Sequence, residues 1–269
     1  MPDKGSLEKL QKVRCFLLDM DGTFYLGDRL LPGAKDLIHY CDEKEIKYLF
    51  ITNNSSKNAG DYVKKLEHLG VEVTREKIFT SGEATCIYLK KEYAGKKIFL
   101  AGTPALEQEF RRQGISLTQT EPEVIVLGFD TTLTYAKLWK VCDLVREGLP
   151  YIATHPDFNC PTDQGYMPDI GALIAFVMAA TGRQPDVVVG KPNAHMTKAI
   201  LDKVGVPLEQ IAMVGDRLYT DVAMGRTGIM TVLVLSGETS LEDAQKSEFK
   251  ADLIVIDLAD LLQKIKHSQ

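Results

Sequence analysis

Phe16-Leu17-Leu18-Asp19-Met20-Asp21-Gly22-Thr23 is an apolar run that stops on two aspartates two residues apart. In a strand, positions i and i+2 share a face, so both carboxylates can address one site. Gly22 then lets the backbone turn tightly or approach a ligand closely. Two like charges held this near each other repel, and a cation or a shared proton resolves the repulsion. The carboxyl end of a buried strand is also where open α/β sheets bind ligands. The stretch therefore points to a parallel α/β sheet with a charged site at its edge.

Outward from this strand, short apolar runs alternate with segments of helical period, as in parallel α/β architecture. Residues 13–19 read as the first strand, 34–44 as a helix with Leu37, Ile38 and Cys41 at helical spacing, and 47–52 as the second strand. Residues 58–69 read as a helix that Gly70 stops. Segments 186–189, 211–214, 230–235 and 251–256 are strands rich in β-branched residues, separated by helices at 194–204, 241–247 and 258–266. They are expected to complete the sheet begun by the first two strands.

The middle of the chain has its own rhythm. Helices at 81–91, 104–113, 135–147 and 170–181 alternate with strands at 97–101, 124–129 and 151–154, enough for a separate small α/β domain. The expected division is a core at 1–80, an inserted domain at 81–183, and the rest of the core at 184–269. Residues 156–168 carry Pro156, Pro161, Gly165 and Pro168 and read as an irregular loop, long enough to act as a lid over a substrate.

Composition narrows the function classes. The 269 residues hold 32 basic and 37 acidic side chains, a net charge of −5 that argues against generic nucleic-acid or membrane-surface binding. Small anionic substrates stay open, because a local site can be positive inside an acidic protein. Five cysteines with no C-x-x-C pair suggest neither a disulfide framework nor a zinc site, and a reducing, cytoplasmic setting is expected. No run of about 18 apolar residues suggests a membrane span.

The ends of four expected strands carry the chemistry. Asp19 and Asp21 end the first; Thr52 and Asn53 follow the second; Lys191 and then Asp216 and Asp221 follow two later ones. In a parallel sheet such ends lie along one edge. Carboxylate clusters suit Mg²⁺, which binds through one or two carboxylates plus substrate phosphate. Lysine and threonine suit phosphoryl oxygens, and an aspartate can attack phosphorus while a second handles the protons.

Asp19-Met20-Asp21-Gly22-Thr23, Thr52-Asn53-Asn54-Ser55, Gly190-Lys191-Pro192 and Gly215-Asp216 through Asp221 resemble the four ordered motifs of the haloacid dehalogenase (HAD) phosphatase superfamily. The insertion between the second and third motifs is similar to the α/β type-two cap of the NagD-like branch, subclass IIA, which includes 4-nitrophenylphosphatases and pyridoxal phosphate phosphatases. The resemblance implies a Rossmann-like parallel-sheet core with an inserted cap. It implies a phosphomonoesterase of small phosphorylated metabolites working through an aspartyl-phosphate, with Mg²⁺ as cofactor and a homodimer built through the cap. Asp19 would be nucleophile and metal ligand. Asp21 would be general acid/base, with its backbone carbonyl on the metal. Thr52, the Asn53 backbone and Lys191 would hold the phosphoryl group. Asp216 would ligate the metal, and Asp221 would orient Lys191 or metal-bound waters.

Within the cap, His155, Asp157, Phe158, Tyr166 and Asp169 are candidate readers of the substrate, with Asp169 equally suited to cap the helix that follows it. A phosphotransferase or mutase on the same scaffold is the alternative activity. A non-catalytic ligand-binding regulator is a third class, disfavoured by the complete set of acids and lysine.

Overall fold

The computed structural model describes residues 4–162 and 165–268. In chain order its strands are β1 (Cys15–Leu18), β2 (Tyr25–Leu26), β3 (Arg29–Leu30), β4 (Lys47–Thr52) and β5 (Ile78–Thr80). Then come β6 (Ile98–Ala101), β7 (Val124–Leu127), β8 (Tyr151–Ala153), β9 (Asn159–Thr162) and β10 (Gly165–Pro168). The last four are β11 (Val187–Val188), β12 (Ile211–Gly215), β13 (Met230–Val234) and β14 (Leu253–Val255). They belong to two compact units: Met1–Ile51, Val63–Ile78 and Ile200–Gln269 form the first, Thr52–Tyr62 and Phe79–Ala199 the second.

The first unit is built on a sheet of order β14-β13-β12-β1-β4-β5. β1 pairs in parallel with β12 on one side and β4 on the other. All four β1 residues are buried, as a strand covered on both faces requires. The chain leaves β1 toward β4 and returns on the opposite side at β12, so the carboxyl end of β1 is a topological switch point. At such a point the flanking connections diverge and leave a crevice.

The second unit holds the parallel sheet β11-β8-β7-β6. Its core includes Phe99, Ile125, Leu127, Phe129, Val141, Tyr151 and Val177. Two expectations are corrected in this unit. The strand at 187–188 does not extend the first sheet; it pairs with β8, Val187 opposite Ile152. Asp186 clamps it there, its amide donating to Tyr151 O at 2.7 Å and its Oδ2 accepting from Tyr151 N at 2.7 Å. The segment read as an irregular loop contains the antiparallel hairpin β9–β10, with Tyr166 opposite Pro161 and Pro168 opposite Asn159. A two-stranded ribbon leaves each strand one unpaired edge, where a proline's missing N–H costs no ladder bond.

Candidate active site

In the first unit the β1–β12 ladder runs one residue past β1, Asp19 N donating to Val214 O at 2.9 Å. This sets Asp19 beside the end of β12, where Gly215 leads into Asp216. Ligand oxygens of Asp19, Asp216 and Asp221 lie within 4.8 Å of one another. Asp216 is 2% exposed and Asp221 1%. Asp216 Oδ2 accepts from Glu238 N at 2.7 Å, while its Oδ1 is buried with no hydrogen-bond partner among the described residues. Burial, and then the charge of Asp221, push the Asp216 carboxyl up to about 7. Asp221 Oδ2 accepts from Arg217 N at 3.1 Å, closing the turn between the two acids. The loop after β1 packs on this cluster. Gly22 has φ +84°, and a Cβ there would lie 2.3 Å from Asp216 Oδ2, so both backbone angle and space require glycine. An oxygen-only donor set with one orphaned carboxylate oxygen fits a hard divalent cation.

Asp21 stands apart from this carboxylate cluster. Tyr25 Oη donates to its Oδ2 at 3.3 Å, and Lys65 Nζ lies 4.0 Å from its Oδ1 and 4.1 Å from the Tyr25 ring centroid. Sequence reasoning missed Tyr25, Lys65 and Glu238. Glu238 had a usable signal, since it follows the carboxyl end of β13, the neighbour of β12. Tyr25 and Lys65 had none, because neither terminates a main-sheet strand.

The second unit gathers Thr52, Asn53 and Lys191, all buried. Thr52 Oγ1 accepts from Asn54 N at 3.1 Å. The Asn53 side chain accepts from Lys191 N at 2.8 Å and donates to Lys191 O and Asp157 Oδ1, both at 3.0 Å. Ser81 Oγ donates to the Asn53 carbonyl. A Cβ on Gly190 would lie 2.6 Å from Asn53 Oδ1 and 2.8 Å from Thr154 O, so glycine is what lets these segments meet.

The five candidate readers separate into two groups. His155, Asp157 and Asp169 are buried. His155 Nε2 lies 3.0 Å from Asp169 Oδ1, and its Nδ1 lies 2.9 Å from Thr154 Oγ1. Asp169 Oδ1 also accepts from Ile170 N at 2.6 Å, capping the helix Ile170–Thr181. Phe158 and Tyr166, by contrast, are 62% and 69% exposed on the hairpin segment.

Residues 16–116 match the family model described as haloacid dehalogenase-like hydrolase, and residues 188–261 match a second model described as HAD-hydrolase-like. Acid sugar phosphatase of Staphylococcus epidermidis is 32% identical over 241 residues, covering 89% of this chain and 93% of that protein. Among solved structures, 4-nitrophenylphosphatase from Thermotoga maritima is 48% identical with a TM-score of 0.93, covering 97% of this chain and 99% of that one. NagD from E. coli K-12 is 30% identical with a TM-score of 0.85, covering 92% and 98%. The chain belongs to the haloacid dehalogenase-like hydrolases and, within them, to the NagD/4-nitrophenylphosphatase branch; it is a HAD-type phosphatase.

Proposed function

We propose that the protein is a Mg²⁺-dependent phosphomonoesterase that hydrolyses small phosphorylated metabolites through an aspartyl-phosphate. The orphaned Oδ1 of Asp216, buried within a cluster of three carboxylates, carries the reading. An Asp19 carboxylate oxygen attacks phosphorus, the bond from phosphorus to the ester oxygen breaks, and Asp21 gives its proton to the leaving oxygen. Asp21 then takes a proton from water, whose oxygen attacks phosphorus and frees Asp19 with release of inorganic phosphate. Thr52, the Asn53 backbone and Lys191 hold the phosphoryl oxygens. Asp19, Asp216, Asp221 and the Asp21 backbone carbonyl would hold Mg²⁺ directly or through water; when bound it supplies positive charge that offsets the carboxylates and the phosphoryl group.

The segment 81–183 acts as the cap in this reading, with β11 added to its sheet. Phe158 and Tyr166 are its substrate readers, as the exposed pair among the five candidates. The helix Ile170–Thr181 supports self-association through the cap. Its sequence is almost wholly apolar, yet only Ile170, Gly171 and Val177 are buried. Phe176 also lines a groove of about 230 Å³ with Tyr135 and Trp139. A helix apolar on all sides is normally covered. Five free cysteines fit a reducing, cytoplasmic setting. Among the described residues no helix is long and apolar enough to cross a membrane.

Phosphate release from a panel of esters, led by the sugar phosphates that the name of the staphylococcal relative suggests, tests the activity. Release should appear with added Mg²⁺ and vanish with a chelator. Equal release with and without metal would contradict the metal role, and phosphoryl transfer to an acceptor without free phosphate would favour the transferase alternative.

A further inference from the structure

We propose that Asp157 is a positioning residue for Lys191, acting through the Asn53 side chain, and does not read the leaving group. The proposal rests on the reading of Lys191 as a phosphoryl ligand. A carboxamide offers two N–H donors and one carbonyl acceptor. Asn53 applies them as a clamp: its Oδ1 takes Lys191 N, and its Nδ2 serves Lys191 O and Asp157 Oδ1. Both polar main-chain groups of Lys191 are thereby fixed by one side chain, which sets the direction in which the lysine leaves the backbone. The Asp157 carboxylate is an acceptor only, so it selects the orientation in which the Asn53 NH₂ faces it, and its charge strengthens that bond.

Asp157 is itself held from behind. Its carbonyl accepts from Gly171 N at 2.7 Å, in the first turn of the helix Ile170–Thr181. A Cβ on Gly171 would lie 2.6 Å from Pro156 O and 2.9 Å from Asp157 O, so the backbone of residues 156–157 lies directly on the helix. The helix start is in turn fixed by Asp169, which His155 supports. The buried trio His155, Asp157 and Asp169 thus forms a strut from a helix terminus to the Asn53 amide. Only 3% of Asp157 is exposed, which suits a strut and gives a leaving group little to touch.

The test uses inorganic phosphate as a competitive inhibitor of the full-length, Mg²⁺-loaded enzyme. Phosphate has no leaving group, so its inhibition constant reports on the phosphoryl-binding side alone. Asp157→Ala should weaken phosphate inhibition on the order of 10-fold and lower kcat/KM by a common factor for esters with unlike leaving groups. Asn53→Ala should cost more, and adding Asp157→Ala to it should cost nothing further, because the two act as a unit. Two conservative variants keep the test informative if alanine harms folding. Asp157→Asn keeps an acceptor oxygen for Asn53 Nδ2 and should recover most of the loss. Asn53→Asp faces both Asp157 and Lys191 O with a second acceptor and should be impaired. Asn53→Asp combined with Asp157→Asn restores the donor–acceptor pair between the two side chains alone and should regain part of the phosphate affinity, the bond to Lys191 O staying lost.

An unchanged phosphate inhibition constant, with kcat/KM shifted differently for each ester, would overturn the proposal in favour of leaving-group reading. A lowered melting temperature with phosphate inhibition intact would overturn it in favour of a purely structural role. Lys191→Ala separates the layers: if it leaves phosphate inhibition and turnover intact, the reading of Lys191 fails, and the positioning role with it.

Discussion

The two buried polar clusters of this protein are built on opposite plans. In the first unit three carboxylates crowd together, one oxygen of Asp216 has no partner among the described residues, and burial beside Asp221 raises the Asp216 pKa. In the second unit the Asn53 amide spends both donors and its acceptor within 3.0 Å, and His155 and Asp169 bond each other. The first cluster is electrostatically incomplete and calls for a cation. The second is complete, and a satisfied buried network fixes geometry. The proposed mechanism uses both qualities: charge that changes on binding, and a lysine held in one direction.

The comparison breaks most violently at the proposed nucleophile, Asp19. Asp19→Asn should lower kcat by at least about 10³-fold while the folded protein melts no lower, since one of the repelling charges is gone. Steady-state assays with a mass check for deamidation, beside a thermal melt, measure both. The reverse substitution in the second cluster, Asn53→Asp, should instead cost phosphate affinity.

Next in size is Gly190→Ala. The added methyl would press on the Asn53 amide, on His155 Cβ at 2.7 Å and on backbone at Thr154 O, and overpacking of this kind costs about 1–3 kcal/mol. Chemical denaturation should show that loss together with weaker phosphate inhibition. Wild-type stability in both would mean the cluster is looser than its hydrogen bonds indicate.

The pH response separates the clusters again. Without metal, folded Asp216 keeps its proton up to about 7, whereas its ordinary value is 3.8. Its stabilising contribution is therefore full below pH 3.8 and is lost as pH rises through about 7, because over that window the folded state binds more protons than the unfolded. Under the proposed metal role Mg²⁺ would take the deprotonated form, so the rise in melting temperature on adding Mg²⁺ should be larger at pH 8 than at pH 6. Asp216→Asn should abolish that difference and stabilise the metal-free protein above pH 7.

Much of this was legible in the sequence where local pattern and tertiary need agree. The strand 47–52 and the helices 170–181 and 194–204 fall where periodicity put them. Two acids of the cluster were legible from the strands before them, Asp19 directly after an apolar run and Asp216 one glycine after another, whereas Asp221 was legible only as the end of the motif that Asp216 opens. What was not legible depended on partners distant in the chain. A two-residue strand such as Val187–Val188 carries no mark of which sheet it will join; Asp186 and β8 decide that. The hairpin was hidden because prolines signal loops, and only its isolation from a larger sheet makes them tolerable. Among the five candidate readers, residue type could not tell Asp157, buried against Asn53, from Phe158, its exposed neighbour.

The smallest expected effect lies on the hairpin. Phe158→Ala and Tyr166→Ala should change stability by no more than about 0.5 kcal/mol, as exposed substitutions do, yet alter the ranking of esters by kcat/KM. A uniform loss across all esters would return these residues to a role in closure.

In the proposed mechanism an oxygen of Asp19 bonds to phosphorus. The direct measurement is mass spectrometry of enzyme quenched in acid during turnover with Mg²⁺ and a good ester. The expected result is a transient gain of one phosphoryl group on the peptide that carries Asp19, absent in Asp19→Asn. Steady release of phosphate from wild-type enzyme whose Asp19 peptide stays unmodified at every time point would contradict it.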